Sequence, residues 1–314
     1  MSNTEDTTAG KDDNDVSVCA NCGKGEEESD KLKACTACKM VKYCNRECQI
    51  AHRPQHKKEC KRRAAEMHDE KLFEQPQYED CPICFLRLPE FQSGSRYQSC
   101  CGKVICSGCA HASVYDDQGN EVDNEKCAFC RVQDPTSEEI MKRIKKRVKL
   151  NDPIAINNLG NYYRDGRNGH RQDHKKAFEL YHRAGELGHA TAYCSIGYAY
   201  QHGEGVEVDK KKAVYYYELA AMGEDAIARY NLGLIEKRAG NYDRALKHFM
   251  IAVRDGHSRS LKMIKEFYSR GYTTKDAYMK ALQAYQVYLG EIKSEQRDKA
   301  AAFDEEYRYY ESGV

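Results

Sequence analysis

The cysteines are the residues of this sequence whose type and spacing point to chemistry. There are sixteen in 314 residues, and fifteen of them fall into two groups, at residues 19–60 and 81–130. In both groups they recur as C-x-x-C pairs, which bind metal more often than they form disulfides in a reducing compartment. Zinc prefers thiolate and imidazole ligands. The pattern predicts structural zinc, with disulfides as the alternative, and the isolated Cys194 is expected in a core.

Charge and composition indicate in which compartment the protein lies and which partners it is expected to bind. Residues 1–17 are acidic and polar, without the basic start and apolar run of a secretory signal. We therefore expect an intracellular protein, cytoplasmic or nuclear. No stretch reaches the roughly 18 apolar residues of a membrane span. Lys and Arg total 50 against 49 Asp and Glu, a balance that argues against a nucleic-acid partner.

The first group offers eight candidate ligands, enough for two tetrahedral zinc ions. They are Cys19, Cys22, Cys35, Cys38, Cys44, Cys48, His56 and Cys60. The phrase Val41-x-Tyr43-Cys44 and the terminal H-x3-C make residues 19–60 resemble a MYND finger. In that family the ligand pairs interleave, which implies one zinc on Cys19, Cys22, Cys44 and Cys48 and another on Cys35, Cys38, His56 and Cys60. The resemblance favours His56 over His52, which we expect on the helix surface, and it implies proline-containing peptides of partner proteins as ligands.

The second group again suggests two zinc ions. Its cysteines are Cys81, Cys84, Cys100, Cys101, Cys106, Cys109, Cys127 and Cys130. The phrases CPIC, CCGKVICSGC and CAFCR make residues 81–131 resemble an all-cysteine RING finger. The resemblance implies one zinc on Cys81, Cys84, Cys106 and Cys109, and one on Cys100, Cys101, Cys127 and Cys130.

This second group departs from the RING pattern where two of its ligands are adjacent. Side chains of neighbouring residues in an extended strand point apart, so Cys100 and Cys101 reach one metal only if the chain turns sharply. Gly102 would permit such a turn, and His111 is an alternative ligand. The RING resemblance implies a ubiquitin ligase, in which Ile83 and Arg131 would contact a ubiquitin-conjugating enzyme. A zinc-stabilised interaction domain without ligase activity is the other interpretation.

After residue 150 the sequence repeats itself. Leu-Gly or Ile-Gly pairs end at Gly160, Gly197 and Gly233, which are 37 and 36 residues apart. Each is followed by an alanine and, four residues later, by an aromatic: Tyr181, Tyr217 and Phe249. A fourth, weaker copy follows at Ala281 and Tyr285. The pattern resembles Sel1-like repeats, relatives of tetratricopeptide repeats. It predicts stacked helix pairs, each second helix ending at a left-handed glycine: Gly188, Gly223 and Gly256.

The expected fold class is thus two small, cross-braced, zinc-stabilised α+β fingers followed by an all-α solenoid of helix pairs. The predicted order is a disordered tail (1–17), the MYND-type finger (19–60), a linker (61–80), the RING-type finger (81–131), a connecting helix (134–150) with a solvated basic face, the repeats (152–290) and a C-terminal helix or tail (291–314). We predict no catalytic residue and no cofactor except Zn²⁺. The expected function is a protein-interaction adaptor, with a partner in the solenoid groove; the alternative is a RING-type ubiquitin ligase.

Overall fold

The computed structural model describes residues 18–25, 31–74, 78–89, 94–116, 120–121, 126–133 and 135–310. The tail predicted for residues 1–17 therefore lies outside the described residues. The chain divides into two compact units, residues 1–72 and 73–314. Each unit is described by itself.

The first unit is a small hairpin followed by one long helix. Strands β1 (Lys33–Ala34) and β2 (Lys42–Tyr43) pair antiparallel, and α1 spans Arg46–Leu72. The hydrophobic cluster around the hairpin consists of three buried cysteines with Leu32 and Tyr43. A core of this size buries too little apolar surface to fold alone. The unit therefore needs a further source of stability.

Helix α1 continues through much of the stretch that the sequence assigns to a linker. Exposed ion pairs between residues three or four apart run along it, with Arg62 beside both Glu59 and Glu66. Arg63 pairs with Glu70, with 2.7 Å between Nη1 and Oε1. Each pair between residues three or four apart stabilises a helix by about 0.2–0.5 kcal/mol; the Arg63–Glu70 pair spans seven residues, or two turns. Between Cys60 and Leu72 the sequence has no proline or glycine, so the helix continues past the cysteine cluster.

The second unit begins with another small finger. Strand β3 (Ser95–Gln98) pairs antiparallel with β4 (Lys103–Cys106), and α2 (Ser107–His111) follows directly. Helix α3 (Ser137–Lys149) then connects the finger to the repeats. The N–H of Thr136 donates to Oε2 of Glu139 at 3.0 Å, one of the two hydrogen bonds of a capping box at the start of α3.

The rest of the second unit is helical, as the repeat pattern predicts. Antiparallel pairs follow one another, and each packs against the next. The helices are α4 (Pro153–Asp165), α5 (His174–Glu186), α6 (Ala190–His202), α7 (Lys210–Met222), α8 (Ala226–Arg238), α9 (Tyr242–Arg254), α10 (Ser258–Ser269), α11 (Lys275–Ile292) and α12 (Glu295–Phe303), followed by a short 3-10 helix (Glu305–Tyr307).

Within each of the first three pairs, an aromatic ring of the second helix lies on a glycine of the first. An ideal Cβ on Gly160 would lie 2.6 Å from Tyr181, and one on Gly197 would lie 2.7 Å from Tyr217. Gly233 and Phe249 form the third such pair. Real Cβ contacts are essentially never this short, so only glycine lets the ring approach. The recurring glycines and aromatics therefore set the spacing of the helices.

The helix ends follow the sequence pattern with one exception. Asp173 and Asp209 accept hydrogen bonds from backbone N–H groups at the starts of α5 and α7, at 2.9 and 3.0 Å. Gly188 and Gly256 have the predicted positive φ, at 91° and 88°. The prediction for Gly223 is wrong: its φ is −96°, and Glu224 takes the left-handed conformation instead, at 74°. The left-handed residue lies at the same place in all three repeats, two residues after the helix end, but in the second repeat it is a glutamate rather than a glycine.

Gly197→Ala should destabilise the second unit by about 1–3 kcal/mol, because the new methyl group would overlap a ring that is itself fully buried. Gly290→Ala is the matched control. Gly290 also lies in a helix, but no heavy atom comes within 4 Å of its ideal Cβ. That change should raise stability by up to about 1 kcal/mol. Urea unfolding followed by circular dichroism measures both, and equal effects would contradict this account of the packing.

Candidate metal centres

The first metal centre is built by the loop before β1 and by the start of α1. The sulfurs of Cys19, Cys22, Cys44 and Cys48 all lie within 4.8 Å of one another. The Sγ atom of Cys44 is 3.7 Å from that of Cys22 and 3.5 Å from that of Cys48. A tetrahedron with zinc–sulfur bonds of about 2.3 Å has sulfur–sulfur edges of about 3.8 Å. The spacing of the thiols thus fits a tetrahedral zinc.

The second centre of this finger includes one imidazole. Cys35, Cys38, His56 and Cys60 form the group. Nε2 of His56 lies 3.2 Å from Sγ of Cys38, and the sulfurs of Cys35 and Cys60 are 3.7 Å apart. Nε2 is therefore the nitrogen that faces the metal position.

His52 lies outside this group but has its own structural role. Its Nδ1 is 3.1 Å from the hydroxyl of Tyr43, and its ring stacks on that of His56 at 5.6 Å between centroids. His52 lies on α1 outside the ligand group, as expected, and it is half-buried rather than fully exposed. The contact with Tyr43 ties α1 to β2 and supports the ring of His56 from behind.

Four of the C-x-x-C pairs share one backbone conformation. In each, the residue after the second cysteine has a positive φ, between 56° and 75°, and its N–H donates to the carbonyl of the first cysteine at 2.9 or 3.0 Å. These residues are Gly23, Lys39, Phe85 and Arg131. The turn points both thiols of a pair toward one position. The turn therefore requires a left-handed backbone conformation at Arg131, independently of any role of its side chain.

The third centre joins the first knuckle of the second finger to α2. It comprises Cys81, Cys84, Cys106 and Cys109. The sulfurs of Cys84 and Cys106 are 3.7 Å apart. The N–H groups of Cys106 and Cys109 point at the sulfurs of Cys81 and Cys106, each at 3.4 Å. Such donors stabilise thiolate over thiol, the form that binds metal.

The fourth centre contains the two adjacent cysteines. The sulfurs of Cys100 and Cys101 lie in one group with those of Cys127 and Cys130, and Sγ of Cys130 is 3.4 Å from Sγ of Cys100. The chain turns sharply after them, as predicted: Gly102 has φ +74°, and its N–H donates to the carbonyl of Gln98 at 2.7 Å. The turn brings both thiols to the same side.

His111, the alternative ligand, is not part of the fourth centre. It is 7% exposed and packs its ring against Tyr115 and Phe303, with centroids 4.8 and 5.1 Å apart. The proposal that it replaces an adjacent cysteine is therefore wrong. Ile83 is half-buried against the core of the finger, and Arg131 is exposed.

Residues that the motifs did not identify attach this finger to the start of the repeats. Arg147, on α3, donates to the carbonyls of Ser99 and Cys100 at 3.4 and 2.8 Å, so this residue departs from the solvated basic face predicted for α3. The hydroxyl of Tyr97 donates to Oδ2 of Asp152 at 2.7 Å, and Asp152 also caps α4. Burial, with the hydrogen bond to Asp152, raises the pKa of Tyr97, which keeps its hydroxyl protonated.

The same finger also contacts the far end of the helical array. Nη1 of Arg87 lies 2.7 Å from Oε2 of Glu291 on α11, and its guanidinium lies 3.3 Å from the ring centroid of Tyr78. Nη2 of Arg87 is 3.6 Å from Oδ1 of Asp255. Burial raises the pKa of Asp255 to about 7, against the lowering influence of Arg87. Of the two carboxylates, Glu291 lies closer to Arg87.

All four groups fit zinc and exclude catalysis of the open-site kind. Each supplies four donors, only sulfur or nitrogen, and a protein-filled tetrahedron leaves no position for an activated water. All sixteen cysteines are unbridged, so the disulfide alternative finds no pairing in this structure. Cys194 is buried on α6, as expected of a core residue.

Comparison with known families agrees with two of the three modules. The family model of the MYND finger matches residues 19–60, and that of the Sel1 repeat matches residues 153–189 and 190–225. The chain therefore contains a MYND finger and two Sel1 repeats. The thiol clusters of residues 81–130 are present, but no family match identifies them as a RING finger.

Curated relatives share part of this chain. An Arabidopsis thaliana protein, ERAD-associated E3 ubiquitin-protein ligase component HRD3B, is 29% identical over 114 residues, which are 35% of this chain and 17% of that protein. A Sel1-like repeat-containing protein of Schizosaccharomyces pombe is 28% identical over 141 residues. These residues are 44% of this chain and 21% of that protein. The chain thus spans about a fifth of the length of either relative.

Among solved structures, the crystal structure of a Sel1 repeat protein from Oxalobacter formigenes is similar, with 28% identity and a TM-score of 0.42. The superposition covers 53% of this chain and 65% of the chain in that crystal structure. Within the described residues, no helix is long and apolar enough to cross a membrane. A MYND finger with Sel1 repeats, which mediate protein–protein interaction, supports a zinc-containing interaction adaptor.

His56→Ala and His52→Ala separate the two imidazoles of the first finger. Losing Nε2 of His56 removes one of four donors, so native mass spectrometry should count one zinc fewer than in the wild type. His52→Ala should keep the full count, because it deletes only the contacts with Tyr43 and His56. A lost zinc in His52→Ala together with a full count in His56→Ala would reverse the assignment.

Proposed function

We propose that this protein is a non-catalytic adaptor whose two fingers hold two zinc ions each and whose finger and repeat surfaces bind other proteins. The observation that carries the proposal is the set of four closed donor groups, each filled by the protein's own side chains. Structural zinc in such sites contributes roughly 10–16 kcal/mol in apparent terms. Metal would therefore serve to form binding surfaces rather than to react.

The MYND finger is the surface for which the ligand class is best defined. Its resemblance to other MYND fingers supports short proline-containing peptides of partner proteins. A proline-containing peptide library tested by fluorescence anisotropy checks this. Binding should be lost in Cys38→Ser, which breaks a MYND centre, and kept in Cys84→Ser, which breaks a centre of the other finger.

The helical repeats offer a second surface, rich in half-buried aromatic rings. Tyr200 and Tyr216 stack with centroids 5.6 Å apart, and Tyr193 stacks on Tyr216 at 6.1 Å. The ring of Tyr215, 5.2 Å from that of Tyr216, is on a residue that is 55% exposed. Tyrosine combines a rigid apolar body with a polar tip, and it is enriched where proteins meet. These rings support a protein partner on the repeats. The unbridged cysteines suit an intracellular setting, cytoplasmic or nuclear.

A ubiquitin ligase is the second candidate function. Arg131 is exposed directly after the last cysteine, where the RING resemblance expects a residue that contacts the conjugating enzyme. One relative is named as a component of a ubiquitin ligase, which supports the same context. Against it, Ile83 is half-buried against the finger's own core, and α2 packs on α12. The finger therefore already uses part of its surface within the chain.

An autoubiquitination assay with several conjugating enzymes decides between the two functions. For an adaptor, the zinc-loaded full chain should form no ubiquitin chains with any of them. Chain formation that is lost in Arg131→Ala and in Ile83→Ala, but kept in Lys126→Ala, would overturn the adaptor proposal. Lys126 is the matched control because it is an exposed cation beside the same knuckle.

A further inference from the structure

Arg297, in the first turn of α12, is an arginine with no solvent exposure. Its Nη1 donates to the carbonyls of Arg87 at 2.9 Å and Ile292 at 2.6 Å. Its Nη2 donates to the carbonyl of Leu86 at 3.4 Å and lies 3.9 Å from Sγ of Cys84. Leu86 and Arg87 follow the first knuckle of the second finger. A side chain more than 200 residues away thus holds that knuckle.

The backbone of α12 also lies directly on the helix that supplies two ligands of the same centre. An ideal Cβ on Gly108 would be 2.8 Å from the backbone nitrogen of Arg297, so α2 and α12 meet without room for a side chain. Sγ of Cys109 lies 4.0 Å from Oε1 of Gln296. Both sides of the third centre, the knuckle and α2, therefore touch the first turn of α12.

A buried guanidinium needs a compensating negative charge or it is expelled at large cost. In the part of the chain that the structure describes, the hydrogen-bond acceptors of Arg297 are carbonyls and a sulfur, with no carboxylate among them. The ligand sulfur of Cys84 lies 3.9 Å from Nη2 of Arg297. Four thiolates around one Zn²⁺ carry a net charge of about −2. Zinc in this centre would therefore place a compensating negative charge beside the buried guanidinium.

We propose that Arg297 is a positioning residue for the third zinc centre, and that zinc in this centre and the C-terminal segment 292–310 hold each other in place. This inference rests on the zinc-stabilised fold proposed above. Because the coupling is a free energy between two sites, it acts in both directions. Removing the arginine loosens the metal, and removing the metal releases the arginine with α12.

The coupling extends to the end of the repeats. Tyr309, which follows α12, is buried in the same core as Phe267, Tyr285 and Tyr288 of the last helix pair. An ideal Cβ on Gly94 of the finger would be 2.9 Å from Cα of Tyr309. Loss of zinc from the third centre would therefore uncover the apolar end of the repeat stack. Metal occupancy of a finger would control the exposure of a surface on the solenoid.

Zinc release tests the first direction of the coupling. Transfer of zinc from the full chain to a chromophoric chelator should show one ion leaving at least about tenfold faster in Arg297→Met than in the wild type. Arg297→Lys should restore part of the difference, since lysine keeps the charge but not the forked donor geometry. Lys299→Met, on the exposed side of the same helix, should release zinc as the wild type does. Wild-type release from Arg297→Met would overturn the proposal.

Hydrogen exchange tests the other direction. Cys84→Ser and Cys38→Ser should each remove one zinc, the first from the third centre and the second from the MYND finger. Residues 295–303 should lose amide protection in Cys84→Ser and keep it in Cys38→Ser. Equal protection of this segment in both variants would overturn the coupling even if Arg297→Met failed to fold.

These outcomes separate the coupling from the proposed function. If the wild-type chain bound no zinc at residues 81–109, both the proposed zinc-stabilised adaptor and the coupling would be contradicted. A chain that holds four zinc ions but shows neither fast release in Arg297→Met nor exposure of residues 295–303 in Cys84→Ser would leave the adaptor intact and contradict only the coupling.

Discussion

The bond between zinc and thiolate is the interaction on which both fingers depend. The core of the first unit is largely cysteine, and its two strands have two residues each. Hydrophobic burial in so small a module cannot offset the entropy of ordering the chain. Four groups of four sulfur or nitrogen donors, each able to hold a zinc ion, would supply the missing free energy. The finger surfaces and the attached helices follow from that constraint.

Two kinds of packing stabilise the second unit. Between helices, glycines admit aromatic rings that fill the space within each pair. Around the finger, charged and hydroxyl side chains reach backbone carbonyls and carboxylates at both ends of the array: Arg147 and Tyr97 near α4, Arg87 and Arg297 near α11 and α12. The finger is therefore a structural part of the helical unit. This integration distinguishes it from a module that is merely tethered to its neighbours.

The sequence was sufficient to predict the MYND finger, the Sel1 repeats and the grouping of the candidate ligands, because C-x-x-C spacing and the repeat period are local signals. The turn at Gly102 could also be predicted, since two adjacent ligands demand it. The roles of Arg297 and Arg147 could not, because their partners lie far away in sequence and a lone arginine looks like solvated surface. The contact of His52 with Tyr43 and the left-handed conformation of Glu224 were also not predicted, because neither a neighbouring ring nor a non-glycine residue with a positive φ leaves a trace in the sequence pattern.

Amide hydrogen exchange on the full chain, before and after removal of metal by a strong chelator, tests the zinc-dependent fold most directly. The account predicts that residues 18–60 and 78–133 lose most of their protection, whereas the helix pairs from α4 to α9 keep theirs. Undiminished protection of both finger regions after chelation, or sulfurs found joined as disulfides in the native protein, would contradict it.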